Sequence, residues 1–444
     1  MRLKALLFTG VIAFASTAAM AQSWVVDSAE MGPGYVNDVF YSLKNGTAGT
    51  ASNTNWHIAF QTTPQGPYGH VSIFANHTNG VNVYSLHLSA AANFTTLSAT
   101  DTVGKTGTSH QLFNSDTSWN FGAFNKMNNP GDAFDYSWGF YDQQTHKVLG
   151  DSLYLLTINN GTTTTTYKLW VKEYVSTPID SIHWLFRIAN FDGSEDTTLK
   201  IYRSPNYTDR LFAYYDVVNQ TVLDREPSRS AWDILFTRYK EYIPGAPGSP
   251  YYSVTGVLSN FDVTVAEKVN IGPDDTIGFV SYPYSDIIGT IGSDWKTFNM
   301  TTFQYELADS TYYFIKTKNT NEYYQLQFTG FNSADGKIIF GKRYLGVYNP
   351  LSVTGLNQTV IAYKLVPNPA TNNVNVIVDS KDKMENTMLV VTDISGRVAF
   401  KSSVNVKSGL NAYSINTSGL ASGTYVVNLT NGSWKATEKL VVQH

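Results

Sequence analysis

Short runs in which apolar and polar residues alternate, each broken by a glycine turn, constrain this chain more than any other feature. Tyr167, Leu169 and Val171 fall on one face of such a run, with Lys168 and Lys172 on the other. Tyr324, Leu326 and Phe328 alternate with Gln325 and Gln327 in the same way. A period of two belongs to a strand, and helix-period patterns are scarce. Asn-Gly and Asp-Gly pairs punctuate the runs as turns. Aromatic residues make up 14% of the chain, a composition that suits pleated, half-buried surfaces. The expected fold class is all-β.

The 444 residues are too many for one ordinary core, so two or three domains are expected. Only 15% of residues are charged and the formal net charge is -4, which gives no basic footprint for nucleic acid. The absence of cysteine excludes disulfides and thiolate metal sites. At the N-terminus Arg2 and Lys4 precede an apolar run from Ala5 to Ser16, and Ala19-Met20-Ala21 has the small-x-small form of a cleavage site. Residues 1–21 are read as a signal peptide cut between Ala21 and Gln22, and the run is too short to span a bilayer. Gln22 stands where a lipid-anchored protein would need cysteine, and no transmembrane segment is expected in the mature chain.

Order, type and spacing of aromatic residues point to an internal duplication. Tyr35, Phe40 and Trp56-His57-Ile58-Ala59-Phe60 in one stretch match Tyr207, Phe212 and Trp232-Asp233-Ile234-Leu235-Phe236 in the next. Trp119 and Trp295 each lie 63 positions beyond their partners Trp56 and Trp232. Asp151-Ser152-Leu153-Tyr154 matches Asp309-Ser310-Thr311-Tyr312 further on. The expected organisation is one unit over 22–204, a second over 205–347, a linker over 348–363 and a last module over 364–444.

That last module opens with Pro367-Asn368-Pro369, an extended entry that cannot pair. Val374, Val376 and Val378 alternate as a first strand. Asp393-Ile394-Ser395-Gly396-Arg397-Val398 is a strand–turn–strand unit in which Gly396 supplies the tight bend. Gly423-Thr424-Tyr425 and Lys439-Leu440-Val441-Val442 begin and end the closing strands, giving an immunoglobulin-like sandwich of roughly seven strands. These segments, in this order, resemble the type A sorting domain of the type IX secretion system of Bacteroidetes. The resemblance rests on Pro367, Asn368, Pro369, Asp393, Gly396, Arg397, Gly423, Tyr425 and Lys439. It implies an export address read by the sorting machinery, with the cargo released or attached to surface lipopolysaccharide.

The Tyr-x-x-x-x-Phe and Trp-Asp-Ile-x-Phe pattern over about residues 35–345 resembles the HmuY family of haem-binding proteins. The resemblance implies two duplicated β-sheet units and a haem held between two axial His or Met side chains. The second unit contains no histidine. In the first, His70 and His77 lie seven apart around a glycine-containing hairpin and are the candidate haem ligands. Asp180, Ser181 and His183 do not make a triad, because alternate residues of a strand face opposite ways. No hydrolase elbow, zinc-protease motif, phosphate loop or dinucleotide fingerprint is present, and no metal site or catalytic residue is expected. The reading is a secreted or outer-membrane surface protein that is not an enzyme and binds a ligand, with haem the family-implied candidate. The alternative is a non-catalytic surface adhesin for glycans or proteins, with Phe134, Tyr136, Trp138, Phe140 and Tyr141 as an aromatic platform.

Overall fold

The computed structural model of the chain describes residues 23–62, 71–176, 182–246, 249–347, 360–432 and 434–444. The expected cleavage residues Ala21 and Gln22, together with His70, Asp180 and Ser181, lie outside the described residues. Strands dominate, and helices are reduced to single turns. The chain divides into two compact units, one ending at Val347 and one beginning at Tyr348.

In the first unit two large antiparallel sheets repeat one strand order. The first runs Val81–Ser89, Ser152–Asn159, Thr164–Val175, His183–Asn190, Thr197–Tyr202, and a further hairpin of Phe140–Asp142 and Lys147–Leu149, which has no counterpart in the second, pairs with Thr164–Val175. The second runs Val263–Lys268, Tyr312–Thr317, Glu322–Asn332, Lys337–Val347 and then Val25–Glu30, from the start of the chain. Two small four-stranded sheets accompany them. One contains Ile73–Ala75, Ile58–Gln61, Phe212–Asp216 and Thr221–Leu223. The other contains Tyr251–Ser259, Ile234–Tyr242, Asn37–Ser42 and Gly46–Ser52.

One lobe is thus built from a continuous stretch, Ile58 to Leu223, and the other from residues 234–347 closed by the first three strands of the chain. The division expected between residues 204 and 205 therefore falls inside one compact unit. The physical reason is edge pairing. Val25–Glu30 hydrogen-bonds along Lys337–Val347 from Val25 opposite Lys342 to Glu30 opposite Lys337, covering an edge that would otherwise present unpaired backbone.

The inner strands of the small sheets, Ile58–Gln61 and most of Asn37–Ser42, are buried on both faces. Ile58 and Phe60 pack into the core of the first lobe, where Phe60 stacks 4.8 Å from Phe186, while Ala59 between them faces the other small sheet. Val39 and Tyr41 likewise enter the second lobe, and Phe40 faces across to Trp232 at 5.3 Å. Phe40, Ala59, Phe74, Trp119, Phe212 and Leu235 form this middle layer, so the order is large sheet, small sheet, small sheet, large sheet.

The second unit is a seven-stranded antiparallel sandwich among the described residues. Val360–Val366, Asn373–Ser380 and Gly409–Asn416 make one sheet. Val398–Val406, Met384–Asp393, Gly423–Asn431 and Trp434–Val442 make the other. Val374, Val376 and Val378 are fully buried, as their alternation predicts, against Leu389, Val391, Val427 and Leu429. The first strand begins at Val360, inside the stretch read as linker, because Val360 to Val366 pair with Ser380 to Asn375.

Candidate functional site

A cavity of about 80 Å³ opens in the middle layer of the first unit. Phe40, Leu235 and Leu258 line it from one small sheet, and Ala59, Phe74 and Phe212 from the other. The strap after Thr221–Leu223 brings in Arg225 and Glu226. Arg225 donates through Nη2 to Asp38 at 2.7 Å and to the Ser52 carbonyl at 2.8 Å. Its guanidinium lies 4.8 Å from the Tyr214 ring and 5.7 Å from that of Trp56. Both side chains of the Arg225–Asp38 pair are at most 5% exposed, so the charges depend on each other. Asp38 also accepts from Thr237 Oγ1 at 2.6 Å.

The Glu226 carboxylate accepts from the backbone N–H groups of Leu211 and Phe212 and from Tyr214 Oη. Burial nevertheless outweighs these donors and pushes its pKa up to about 7. Three further polar atoms in the lining are buried and meet no hydrogen-bond partner among the described residues: Trp56 Nε1, Trp232 Nε1 and Arg225 Nε. Arg238 and Lys240 also line the cavity, and neither is ion-paired among the described residues.

His77 sits beside this cavity, in the single turn His77–Asn79 that Gly80 ends at φ 73°. Its Nδ1 lies 2.9 Å from the Val81 carbonyl, and its Nε2 accepts from Asn114 N at 3.3 Å. The ring is neutral, its pKa pulled down to about 4 by burial. Both nitrogens are committed inside the fold, so His77 offers no lone pair to an iron. The cavity is also several-fold smaller than the roughly 300–1,000 Å³ of pockets that enclose drug-sized ligands. His77 thus has no free ring nitrogen for an iron, while His70, its expected partner, lies outside the described residues. His57 is buried against Asp216 at 3.2 Å, and His183 lies 3.5 Å from Glu173. His87, His110 and His146 are exposed. No cluster of three potential metal ligands occurs among the described residues.

A second, open groove of about 730 Å³ lies along the hairpin formed by Lys296–Asn299 and Gln304–Leu307. Tyr35, Phe298, Tyr305 and Phe331 line it together with Glu241, Asp294 and Lys296. Lys296 donates to the Thr255 carbonyl at 2.6 Å and lies 4.2 Å from the Trp295 ring, and burial lowers its pKa to about 8. Phe303 at the tip is 71% exposed. The aromatic stretch expected around Trp138 behaves differently. Tyr136 and Trp138 belong to the core of the first lobe, and only Phe140 is largely exposed.

In the second unit the segments singled out from sequence hold its ends together. Asn368, between the two prolines, donates to the Lys439 carbonyl at 2.6 Å and accepts from Val441 N at 2.9 Å. Asp393 accepts from the backbone of Ser395 and Arg397 and pairs with the Arg397 side chain at 3.1 Å around Gly396, whose φ is 84°. The Ser395 hydroxyl, which donates to the Asp393 carboxylate at 2.6 Å, holds that carboxyl below its ordinary pKa together with the bonds from Arg397. Tyr425 Oη donates to the Ala421 carbonyl at 2.9 Å across the turn that precedes Gly423.

Residues 364–443 match the family described as the secretion system C-terminal sorting domain. The chain is thus a secreted or cell-surface protein that carries its own signal for the type IX secretion machinery. No curated protein matches it. Among solved structures, that of dimeric latent PorU from Porphyromonas gingivalis is similar at 9% identity, over 67% of this chain and 31% of that one. The chain spans under a third of that protein's length, and the TM-score of 0.16 is too low to carry an argument. No helix among the described residues is long and apolar enough to cross a membrane.

Proposed function

We propose that the exported body, residues 22–347, is a non-catalytic ligand-binding protein whose site is the middle-layer cavity. The observation that carries this reading is the convergence of two separately built sheets on one apolar hollow, with a few buried polar groups at its wall. The matching strand order of the lobes supports an internal repeat of the kind the HmuY resemblance implies. Trp56 and Trp232, equivalent in that repeat, line the same hollow. The haem role of that family is not carried over, for the reasons given by His77 and the cavity's size. A thermal-shift screen of small extracellular metabolites against the full chain and Ala59→Leu tests the proposal. Stabilising compounds are expected to lose their effect when the leucine fills the hollow. Failure to find any, or their persistence in the variant, would remove the cavity as the site.

A second reading, a surface adhesin for glycans, is favoured by the aromatic groove. Phe298 and Tyr305 are each more than a third exposed, beside Glu241 and Asp294. Rings offer flat apolar faces to sugars and carboxylates accept from their hydroxyls. Loss of signal on a glycan array for Tyr305→Ala, with cavity ligands still bound, would support this reading over the first. In either reading the sorting domain delivers the body to the outer face of the outer membrane, where it is released or tethered to lipopolysaccharide.

A further inference from the structure

We infer that the open groove along the Lys296–Asn299 hairpin takes an extended polypeptide segment, which adds a strand to the free edge of Tyr251–Ser259. This rests on the second, adhesin reading and changes its guest from a sugar to a peptide. Tyr251–Ser259 is the last strand of its small sheet and pairs with Ile234–Tyr242 alone. Its outer edge is closed only toward the C-terminal end. There Val257 exchanges both backbone bonds with Gly292, at 2.9 and 3.2 Å, and Ser259 N donates to the Ile288 carbonyl at 2.8 Å. The register with Ile234–Tyr242 runs unbroken from Tyr251 to Ser259. Alternate residues of an antiparallel strand turn their amides to the same edge, so Ser253 and Thr255 direct theirs outward as Val257 does. The Thr255 carbonyl accordingly accepts from Lys296 Nζ at 2.6 Å, and Lys296 lines the groove. The Ser253 N–H, the Ser253 carbonyl and the Thr255 N–H meet no partner on that edge among the described residues.

Other edges of the unit are guarded. Free edges are usually blunted by charge or proline, and the outer strands of the two large sheets carry Lys200 in one and Asp27 and Glu30 in the other. Tyr251 to Ser259 contains neither a charge nor a proline. Space lies beside it as well. Ser253, Val254 and Thr255 line the groove of about 730 Å³ on one side, and Asp294 and Thr297 line it on the other. Phe298 and Tyr305 stand opposite each other in the hairpin with rings 5.1 Å apart, 39% and 38% exposed. They offer a surface to the alternate apolar side chains of a guest strand. Charge does not select the guest, because Glu241 and Asp294 in the lining are matched by Arg238 and Lys296. The backbone does: a sugar has no row of amides and carbonyls at strand spacing, and a peptide has.

The test mixes the full mature chain with three fluorescein-labelled decapeptides, in which threonine alternates with valine, isoleucine or phenylalanine, and follows anisotropy. At least one is expected to bind saturably. The same peptide N-methylated along its central residues keeps its side chains and is expected to bind about tenfold more weakly, the worth of one or two backbone hydrogen bonds. Hydrogen exchange read by mass spectrometry is expected to slow across residues 251–255 in the complex. Ser253→Pro removes an outward N–H at an edge position that tolerates proline, and is expected to weaken the unmethylated peptide about tenfold. Should that variant fold poorly, the methylated peptide and the exchange pattern decide the matter on the native chain. Equal binding of the methylated peptide, or slowed exchange only elsewhere, would overturn the edge assignment. Binding of none of the three would overturn the peptide guest and leave the sugar reading to the glycan array.

Discussion

Replacing Glu226 with glutamine removes one titration from the middle layer and leaves its shape in place. In the native chain the carboxyl titrates near 7, against an ordinary value of 4.5, because it is fully buried. The folded state therefore holds a proton that the unfolded state releases, and stability falls as pH rises from about 4.5 to about 7. A displacement of this size corresponds to about 3 kcal/mol, present below pH 4.5 and lost above 7. The substituted amide still presents an oxygen to the Leu211 and Phe212 amides and donates to Tyr214 Oη, as the protonated acid does. Urea unfolding of both proteins, followed by tryptophan fluorescence, is compared at pH 5 and pH 8. The variant should be more stable by under about 1 kcal/mol at pH 5 and by about 3 kcal/mol at pH 8. Other titrating groups act alike in both chains and cancel in the difference. A difference that does not change between those pH values would refute the reasoning.

His77 titrates in the opposite sense: its pKa falls from 6.5 to about 4 in the fold, so its contribution is complete above pH 6.5 and disappears as pH drops toward 4. His77→Gln should flatten the acid limb of the native stability profile in that window, measured by urea midpoints at half-unit steps. Arg225→Ala strands Asp38 in the interior and should cost about 3–5 kcal/mol in urea unfolding. Ala29→Asp puts a carboxylate into the core that the first strand closes, and should cost several kcal/mol, with more aggregate on size exclusion as the Lys337–Val347 edge is freed.

Local signals made the second unit legible. Val374, Val376 and Val378 alternate because one face of their strand is wet, and Asp393 to Arg397 close a turn within five residues. The first unit was legible only as β. Ile58–Gln61 and most of Asn37–Ser42 are buried on both faces, so the alternation that marks a half-exposed strand is absent there. The pairing of Val25–Glu30 with Lys337–Val347 spans the whole unit, and no local pattern names a partner so distant. The spacing of His70 and His77 says nothing about what a ring nitrogen meets, and at His77 both meet the fold. Arg225 and Glu226 sit in Asp224-Arg225-Glu226-Pro227, a stretch that reads as a solvated turn. Only the packed middle layer shows them buried at a cavity wall.

The central claim is that the sandwich ending the chain carries the body across the outer membrane, and cell fractionation tests it most directly. The full chain should reach the cell surface or medium, and a chain ending at Val347 should stay in the periplasm, folded and still able to bind whatever the intact body binds. Equal amounts of both outside the cell would contradict the account.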